Sequence, residues 1–302
     1  MTAIGIGLEW HSGHPRGSWM GVAPSHLGLL SPLCRSRGLC GGATLTSERQ
    51  VPLSQGRTAL YATRPKPPTQ LIRATRSEAS ETGDIPEIIG NDRGLYGGDL
   101  AGYFRTLIFH ATNLTRPYHN LRHMLHVTWL CYQAAQFYRD RLTRRQIRDL
   151  LIAALFHDFD HPGHPHPGAD DPDGVNIARS IAALRRRIAP EDRPFLPAIE
   201  ALIEATHYPY AVAGEQLDLS GQIIRDADLA QSLSRVWIQQ VVIGLARERR
   251  VSPLQILKMQ PAFLAALSFN TEWARERFPA CLITAKIAEA ERLLALLEGG
   301  NL

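Results

Sequence analysis

The sequence predicts an all-α protein folded as a compact helical bundle, and three observations carry that expectation. From about Asp99 onward, apolar residues recur at helical spacing. Helix-start signals stand ahead of two of the apolar runs. No stretch shows the clean period-two alternation between turn residues that strands require.

The first start signal is Thr143 with Gln146, a capping box ahead of the apolar run Ile147–Leu155. The second is Ser252-Pro253-Leu254-Gln255, which combines a cap, a first-turn proline and a box partner and opens a helix toward Leu267. A last helix is expected from about Thr271, carrying Leu293, Leu294, Leu296 and Leu297 and ending at Gly299-Gly300. No internal repeat interrupts the series. Residues 1–84 differ: Gly, Ser, Pro and Arg are mixed without any sustained period, and the segment reads as mostly disordered. The expected division is therefore 1–84 as an N-terminal segment and 85–302 as the folded domain. The N-terminal stretch is Arg- and Ser-rich and poor in acids, as a targeting segment or an over-long start would be, but it shows no amphipathic helix.

Composition narrows the function. A chain of 302 residues with 44% hydrophobic and 21% charged residues is that of a globular protein with a sizeable core. It has no run of 18 apolar residues, so no membrane role is expected. The net charge of +4 is unevenly placed: residues 1–82 hold nine Lys/Arg and four Asp/Glu, a local +5, which leaves −1 for the rest. The domain thus lacks the basic excess of a nucleic-acid groove, and no aromatic residues are interleaved with the N-terminal arginines as a stacking platform needs. Cys34, Cys40, Cys131 and Cys281 are scattered without a CxxC pair. They read as free thiols in a reducing, cytoplasmic setting rather than as a disulfide or zinc framework.

Seven of the twelve histidines fall between His119 and His166, where even scatter would place about two. The first cluster is Tyr118-His119-Asn120-Leu121-Arg122-His123-Met124-Leu125-His126. On a helix, His119, His123 and His126 would line one side, with Tyr118 near the start. The HxxxH spacing of a zinc protease needs Glu after its first histidine, and Asn120 stands there instead. The second cluster, Leu155-Phe156-His157-Asp158-Phe159-Asp160-His161-Pro162-Gly163, ends an apolar helix on a His–Asp pair. A buried carboxylate needs a partner, and a metal ion suffices; the pair offers it one nitrogen and one oxygen. Pro162-Gly163 is expected to turn the chain away. The third element is Ile223-Ile224-Arg225-Asp226-Ala227-Asp228, where an apolar stretch ends in two acids. Asp228 could close the ligand set or simply cap the helix. Mixed imidazole and carboxylate donors suit Zn, Mn, Fe or Mg.

Taken together, Tyr118-His119-Asn120-x-x-His123, His157-Asp158-x-Asp160-His161-Pro162-Gly163 and Ala227-Asp228-Leu229 resemble the HD superfamily of metal-dependent phosphohydrolases. The second string is especially similar to class I cyclic-nucleotide phosphodiesterases. The resemblance covers roughly residues 98–298 and implies a helical bundle of that type. It implies that His123, His157, Asp158 and Asp228 hold the first of two divalent metal ions, with Asp158 bridging to the second. It implies His119 as the general acid at the leaving ribose oxygen and His161 as a residue ordering water at the metals. Tyr118, Gln260 and Phe263 are the implied substrate contacts, the last two through the Gln-x-x-Phe spacing used for base recognition.

The sequence departs from the phosphodiesterases at His126, where they have Asp, and at His166, where they have Asn. In Asp170–Ala178 only Asn176 matches their Glu-Asn-His-His region. The segment Phe263–Phe278 is also similar to the tail of compact bacterial HD hydrolases, in which Phe263 would be core and Gln260 exposed. The resemblance implies hydrolysis of a cyclic nucleotide. Its alternatives are hydrolysis of another nucleotide or small phosphomonoester, and a catalytically idle sensor of a metal or ligand. The expected partner is a small-molecule phosphoester.

Overall fold

The computed structural model describes residues 88–89, 100–163 and 172–298. The proposed boundary at 84/85, the N-terminal segment and His166 lie outside them. Every regular element among the described residues is helical, as the capping and spacing signals predict.

The bundle is built around one buried helix. Helix α1 (Leu100–His110) turns Leu100, Tyr103 and Leu107 inward, and α2 (Leu121–Phe137) buries Met124, Val127, Cys131 and Ala134. Both pack on α3 (Arg144–Phe156), in which every residue from Ile147 to Phe156 is buried. A helix enclosed on all sides needs apolar residues all round, and α3 has them apart from Arg148 and Asp149. Arg148 ends in the buried Asp192 carboxylate at 2.8 Å, which also accepts from the Tyr103 hydroxyl at 2.7 Å. The Thr143–Gln146 capping box starts α3 as expected. Helices α4 (Pro172–Arg187), α5 (Leu196–Glu204) and α6 (Leu219–Leu229) complete the layer around it.

Beyond α6 the chain makes a 3₁₀ turn (Ala230–Leu233) and a π-helical turn (Ile238–Ile243) before α7 (Gly244–Arg249) and α8 (Pro253–Ala266). The Ser252–Gln255 capping box opens α8 as expected. The last helix differs from the expectation of one continuous element. It is split into α9 (Glu272–Arg277) and α10 (Ala280–Glu298). Pro279 is the cause: the residue before a proline is driven out of helical geometry, and Phe278 sits at φ −125°, ψ 67°. Of the four leucines it carries, Leu293 and Leu294 pack inward, while Leu296 and Leu297 are exposed.

Two apolar clusters result. The larger surrounds α3; the smaller joins Trp237, Val241, Ala246, Ile256, Leu257 and Ala290. The histidine segment links them, because Tyr118 packs on the smaller cluster whereas Met124 and Val127 belong to the larger. Among the described residues no helix is long and apolar enough to cross a membrane, and Cys131 and Cys281 are free thiols.

Candidate active site

His123 stands in the first turn of α2, His157 caps the C-terminus of α3, Asp158 follows it, and Asp228 occupies the last turn of α6. The fold brings all four together. His123 Nε2 lies 3.2 Å from His157 Nε2, 3.2 Å from Asp158 Oδ2 and 3.1 Å from Asp228 Oδ1. His157 Nε2 lies 3.3 and 3.6 Å from the same two oxygens. Neighbouring donors around a divalent ion with bonds of about 2.0–2.2 Å stand about 2.9–3.6 Å apart, so these atoms have the spacing of one coordination shell.

Their protonation points the same way. His157 Nδ1 donates to the Ala154 carbonyl at 2.8 Å, and His123 Nδ1 bonds to the Gln231 amide oxygen. With both Nδ1 atoms turned to these outer acceptors, both Nε2 atoms face each other and two carboxylates. Asp158 Oδ2 is buried without a hydrogen bond. Such a set coheres only around positive charge. Burial by itself lowers the pKa of His123, yet the facing Asp158 and Asp228 carboxylates outweigh it and raise the value to about 10. Asp158 would be pushed up by burial, but the charges of His157 and His119 hold it well below the usual carboxylate range. The donor set fits a divalent cation.

Residues absent from the sequence expectation hold these groups in place. Asn113 Nδ2 donates to the carbonyls of Asp158 and His119, each at 2.8 Å. Ser180 Oγ donates to the His157 carbonyl at 2.8 Å. Asn176, the one match to the family's following region, donates to Asp158 Oδ1 at 2.9 Å and leaves Oδ2 for the cluster. The chain turns first at Asp160, with a left-handed φ of 61°, and again at Gly163, with φ 80°. The Asp160 carboxylate accepts from Thr112 N at 2.7 Å and Thr112 Oγ1 at 2.9 Å, which holds the Asp160 conformation.

The expectation that His119, His123 and His126 share a helix face is corrected. Asn120 is the N-cap of α2, its side chain accepting from His123 N at 3.1 Å, so His119 precedes the helix. Asn120 is there because the turn needs a cap. His126 is buried and belongs to neither group of clustered donors. His119 is instead placed by Glu248 from α7, which pairs with its Nδ1 and accepts the Tyr118 and His119 backbone N–H groups at 2.9 and 3.1 Å. Burial would raise the Glu248 pKa, but the His119 hydrogen bond and charge lower it to about 2, so it stays ionised. Gly244 permits this approach: a Cβ there would meet the Pro117 carbonyl at 2.8 Å. No local motif marks Glu248, which lies 129 residues from its partner.

His161 stacks on His119 with ring centroids 3.6 Å apart and planes 15° apart. Burial, then the charge of His119, lowers its pKa to about 3, and its Nδ1 accepts from Gly163 N at 2.9 Å. His119, His161 and Glu248 are close enough together to hold an ion. However, both Nδ1 atoms are engaged, and stacked rings aim their lone pairs nearly parallel rather than at one point. This group is better suited to hold a proton beside the first. Tyr118 packs edge-on to His119, and burial followed by the Asp228 and Asp158 charges pushes its hydroxyl pKa up, so it stays neutral.

Gln260 and Phe263, the implied base contacts, do not share the cleft that Phe263 lines. Phe263 lines a cleft of about 350 Å³, whereas Gln260 is not among the lining residues. Gln260 is buried, and its amide nitrogen is spent on the Ile256 carbonyl of its own helix at 3.4 Å.

Residues 120–232 match the HD domain family. Over that stretch the chain is similar to the HD domain. The match spans all four clustered donors and ends one residue beyond Gln231. No curated protein matches the chain.

Proposed function

We propose that this protein is a metal-dependent phosphoric ester hydrolase in which His123, His157, Asp158 and Asp228 hold the cation and His119 is the general acid. The observation that carries the reading is the pair of Nε2 atoms, 3.2 Å apart, facing two carboxylates. Zn, Mn, Fe or Mg suits this mixed nitrogen and oxygen set. A cation bound there supplies Lewis acidity toward water and neutralises charge on the phosphoryl oxygens.

The chain's own residues do the rest. Glu248 fixes the proton of His119 on Nδ1 and orients the ring, so that Nε2 can carry a second proton toward a leaving oxygen. The ionised Glu248 stabilises the imidazolium before that transfer. His161, kept neutral by burial, bears its proton on Nε2, because Nδ1 accepts from Gly163. It can donate to water or a phosphoryl oxygen without adding charge beside His119. Asp158 keeps Oδ1 on Asn176 and would offer Oδ2 to a cation; it is also the residue that would help to hold a second one.

Within this class, the His157–Gly163 string favours a cyclic nucleotide as substrate. The placement of Gln260 outside the Phe263 cleft favours another nucleotide or a small phosphomonoester. Full-length protein reconstituted with each metal and assayed against cyclic nucleotides, linear nucleotides and aryl phosphates separates the two. Turnover of cyclic nucleotides above all others selects the first reading. Protein that binds metal stoichiometrically yet hydrolyses no ester is a sensor, and the hydrolase reading falls.

A further inference from the structure

Phe263 shares its cleft with Tyr208, Tyr210, Val212, Arg225 and Leu229. Arg225 and Leu229 stand three residues before and one after Asp228 on α6. Residues three and four apart share a helix face, so Arg225 stands about 5–6 Å from Asp228, Cβ to Cβ. Asp228 is also the open side of the metal cluster: its side chain is 23% exposed, against 1% for His123 and His157 and 7% for Asp158. Arg225 and Leu229 thus put this cleft within one helical turn of the open side of the cluster.

Arg225 is the unexplained group in it. The residue is 4% exposed. Its Nε donates to the Ala205 carbonyl at 3.0 Å and its Nη1 to the Val212 carbonyl at 2.7 Å, while its carbon lies 3.9 Å from the Tyr210 ring centre. Those contacts pin the loop between α5 and α6. They leave Nη2 without a protein acceptor and the guanidinium without a carboxylate at ion-pair distance among the described residues. Neighbouring Asp226 does not serve, because its oxygens accept from Asn270 and Thr271. Burial accordingly lowers the Arg225 pKa, with Tyr210 and Asp226 acting the other way. Glu215 also lines the cleft but makes no ion pair with Arg225, so the guanidinium there can take an anion from the ligand. The walls of Tyr208, Tyr210, Leu229 and Phe263 suit a flat apolar body.

We infer that this cleft binds the organic half of the substrate and that Arg225 receives an oxyanion on it, a carboxylate or second phosphate separate from the phosphoryl group at the metal cluster. The inference rests on the hydrolase reading for what occupies the cluster, and its test does not depend on turnover alone. With manganese-loaded full-length protein, para-carboxyphenyl and para-phosphonophenyl phosphate should exceed para-carbamoylphenyl phosphate in kcat/KM by about tenfold, the worth of a charge-assisted hydrogen bond. Arg225→Gln should erase that preference, whatever it does to the rate on the carbamoyl ester. The stronger of the two anionic esters tells carboxylate from phosphate. Equal kcat/KM for charged and neutral esters in the native protein, a comparison that needs no variant, would overturn the inference. If no ester turns over, the hydrolase reading fails separately. Calorimetric titration with benzoate, phenylphosphonate and benzamide then tests the cleft. Saturable binding of an anion but not of benzamide, lost in Arg225→Gln, supports it; equal or absent binding refutes it.

Discussion

His119 and Glu248 form a side-chain pair that spans the join between the two apolar clusters, with the Glu248 carboxylate also receiving the backbone N–H groups of Tyr118 and His119. One residue therefore fixes both the position and the tautomer of the proposed acid. Neither residue belongs to the four-donor cluster, which makes proton delivery separable from metal binding.

His119→Ala should accordingly leave metal content nearly unchanged. It should slow esters with poor leaving groups, such as ribose hydroxyls, by about 10²–10⁴-fold, the usual contribution of a positioned general acid. An activated aryl ester departs without much protonation and should suffer far less. Metal analysis and the ratio of rates on the two esters check this; equal losses on both esters would remove the acid role.

Gly244→Ala should reproduce part of that phenotype from a distance. The new Cβ would meet the Pro117 carbonyl at 2.8 Å, a backbone atom that cannot swing aside. Helix α7 would shift and carry Glu248 away from His119. The expected result is a roughly tenfold drop on poor leaving groups, with the activated ester and bound metal little affected. A loss shared equally by both esters would mean that Gly244 serves only packing.

The pH dependence of stability should carry the mark of His161. Its folded pKa of about 3 lies below the ordinary histidine value of 6.5, so the unfolded chain binds its proton first as pH falls. The neutral, buried ring contributes its full share above pH 6.5 and loses it progressively toward pH 3, at up to about 1.4 kcal/mol per pH unit. In metal-free protein, His161→Gln should flatten the stability curve between pH 6 and 4. Denaturant unfolding of both proteins across that interval measures it; parallel curves would show that His161 is protonated in the fold.

Much of the site is legible in the sequence because its chemistry is local. His157-Asp158 at the end of an apolar run marks a buried carboxylate by its position alone, and both capping boxes are local signals too. The residues that escape such reading act over long separations. Glu248 and Gln231 reach their histidines from 129 and 108 residues away, and no periodicity encodes such pairings. Asn120 marks a further limit: a cap and a site residue look alike in a motif, and extending the helix through Asn120 puts His119 on an element it in fact precedes. Pro279 is a visible break, yet the leucine pattern beyond it suggests a continuous helix that the proline forbids.

The two acids at the end of α6 show how neighbours divide roles. Asp226 turns inward and accepts from Asn270 N and Nδ2 and from Thr271 N and Oγ1, at 2.7–3.1 Å, tying the start of α9 to the metal-binding helix. Burial raises its pKa despite those donors. Asp226→Ala would leave buried donors unpaired and should cost about 3 kcal/mol in chemical denaturation. Folded variant should still bind metal, because Asp228 is untouched; loss of metal with stability preserved would reverse the two assignments.

The metal set itself can be divided by a graded pair of variants. Asp158→Ala removes a donor at the centre of the cluster, and metal content and turnover should fall together. Gln231→Ala removes no donor. It takes away the acceptor that keeps the His123 proton on Nδ1, so the ring can place its proton on Nε2, where the cation must bind. Outer partners of this kind are worth about 10–100-fold in metal affinity. Gln231→Glu, which keeps the acceptor, should retain native affinity or exceed it. Competitive titration with a chromophoric chelator gives all three affinities without an activity assay. If Gln231→Ala and Gln231→Glu weaken binding equally, Gln231 contributes shape alone and the tautomer argument for the His123–His157 pair is wrong.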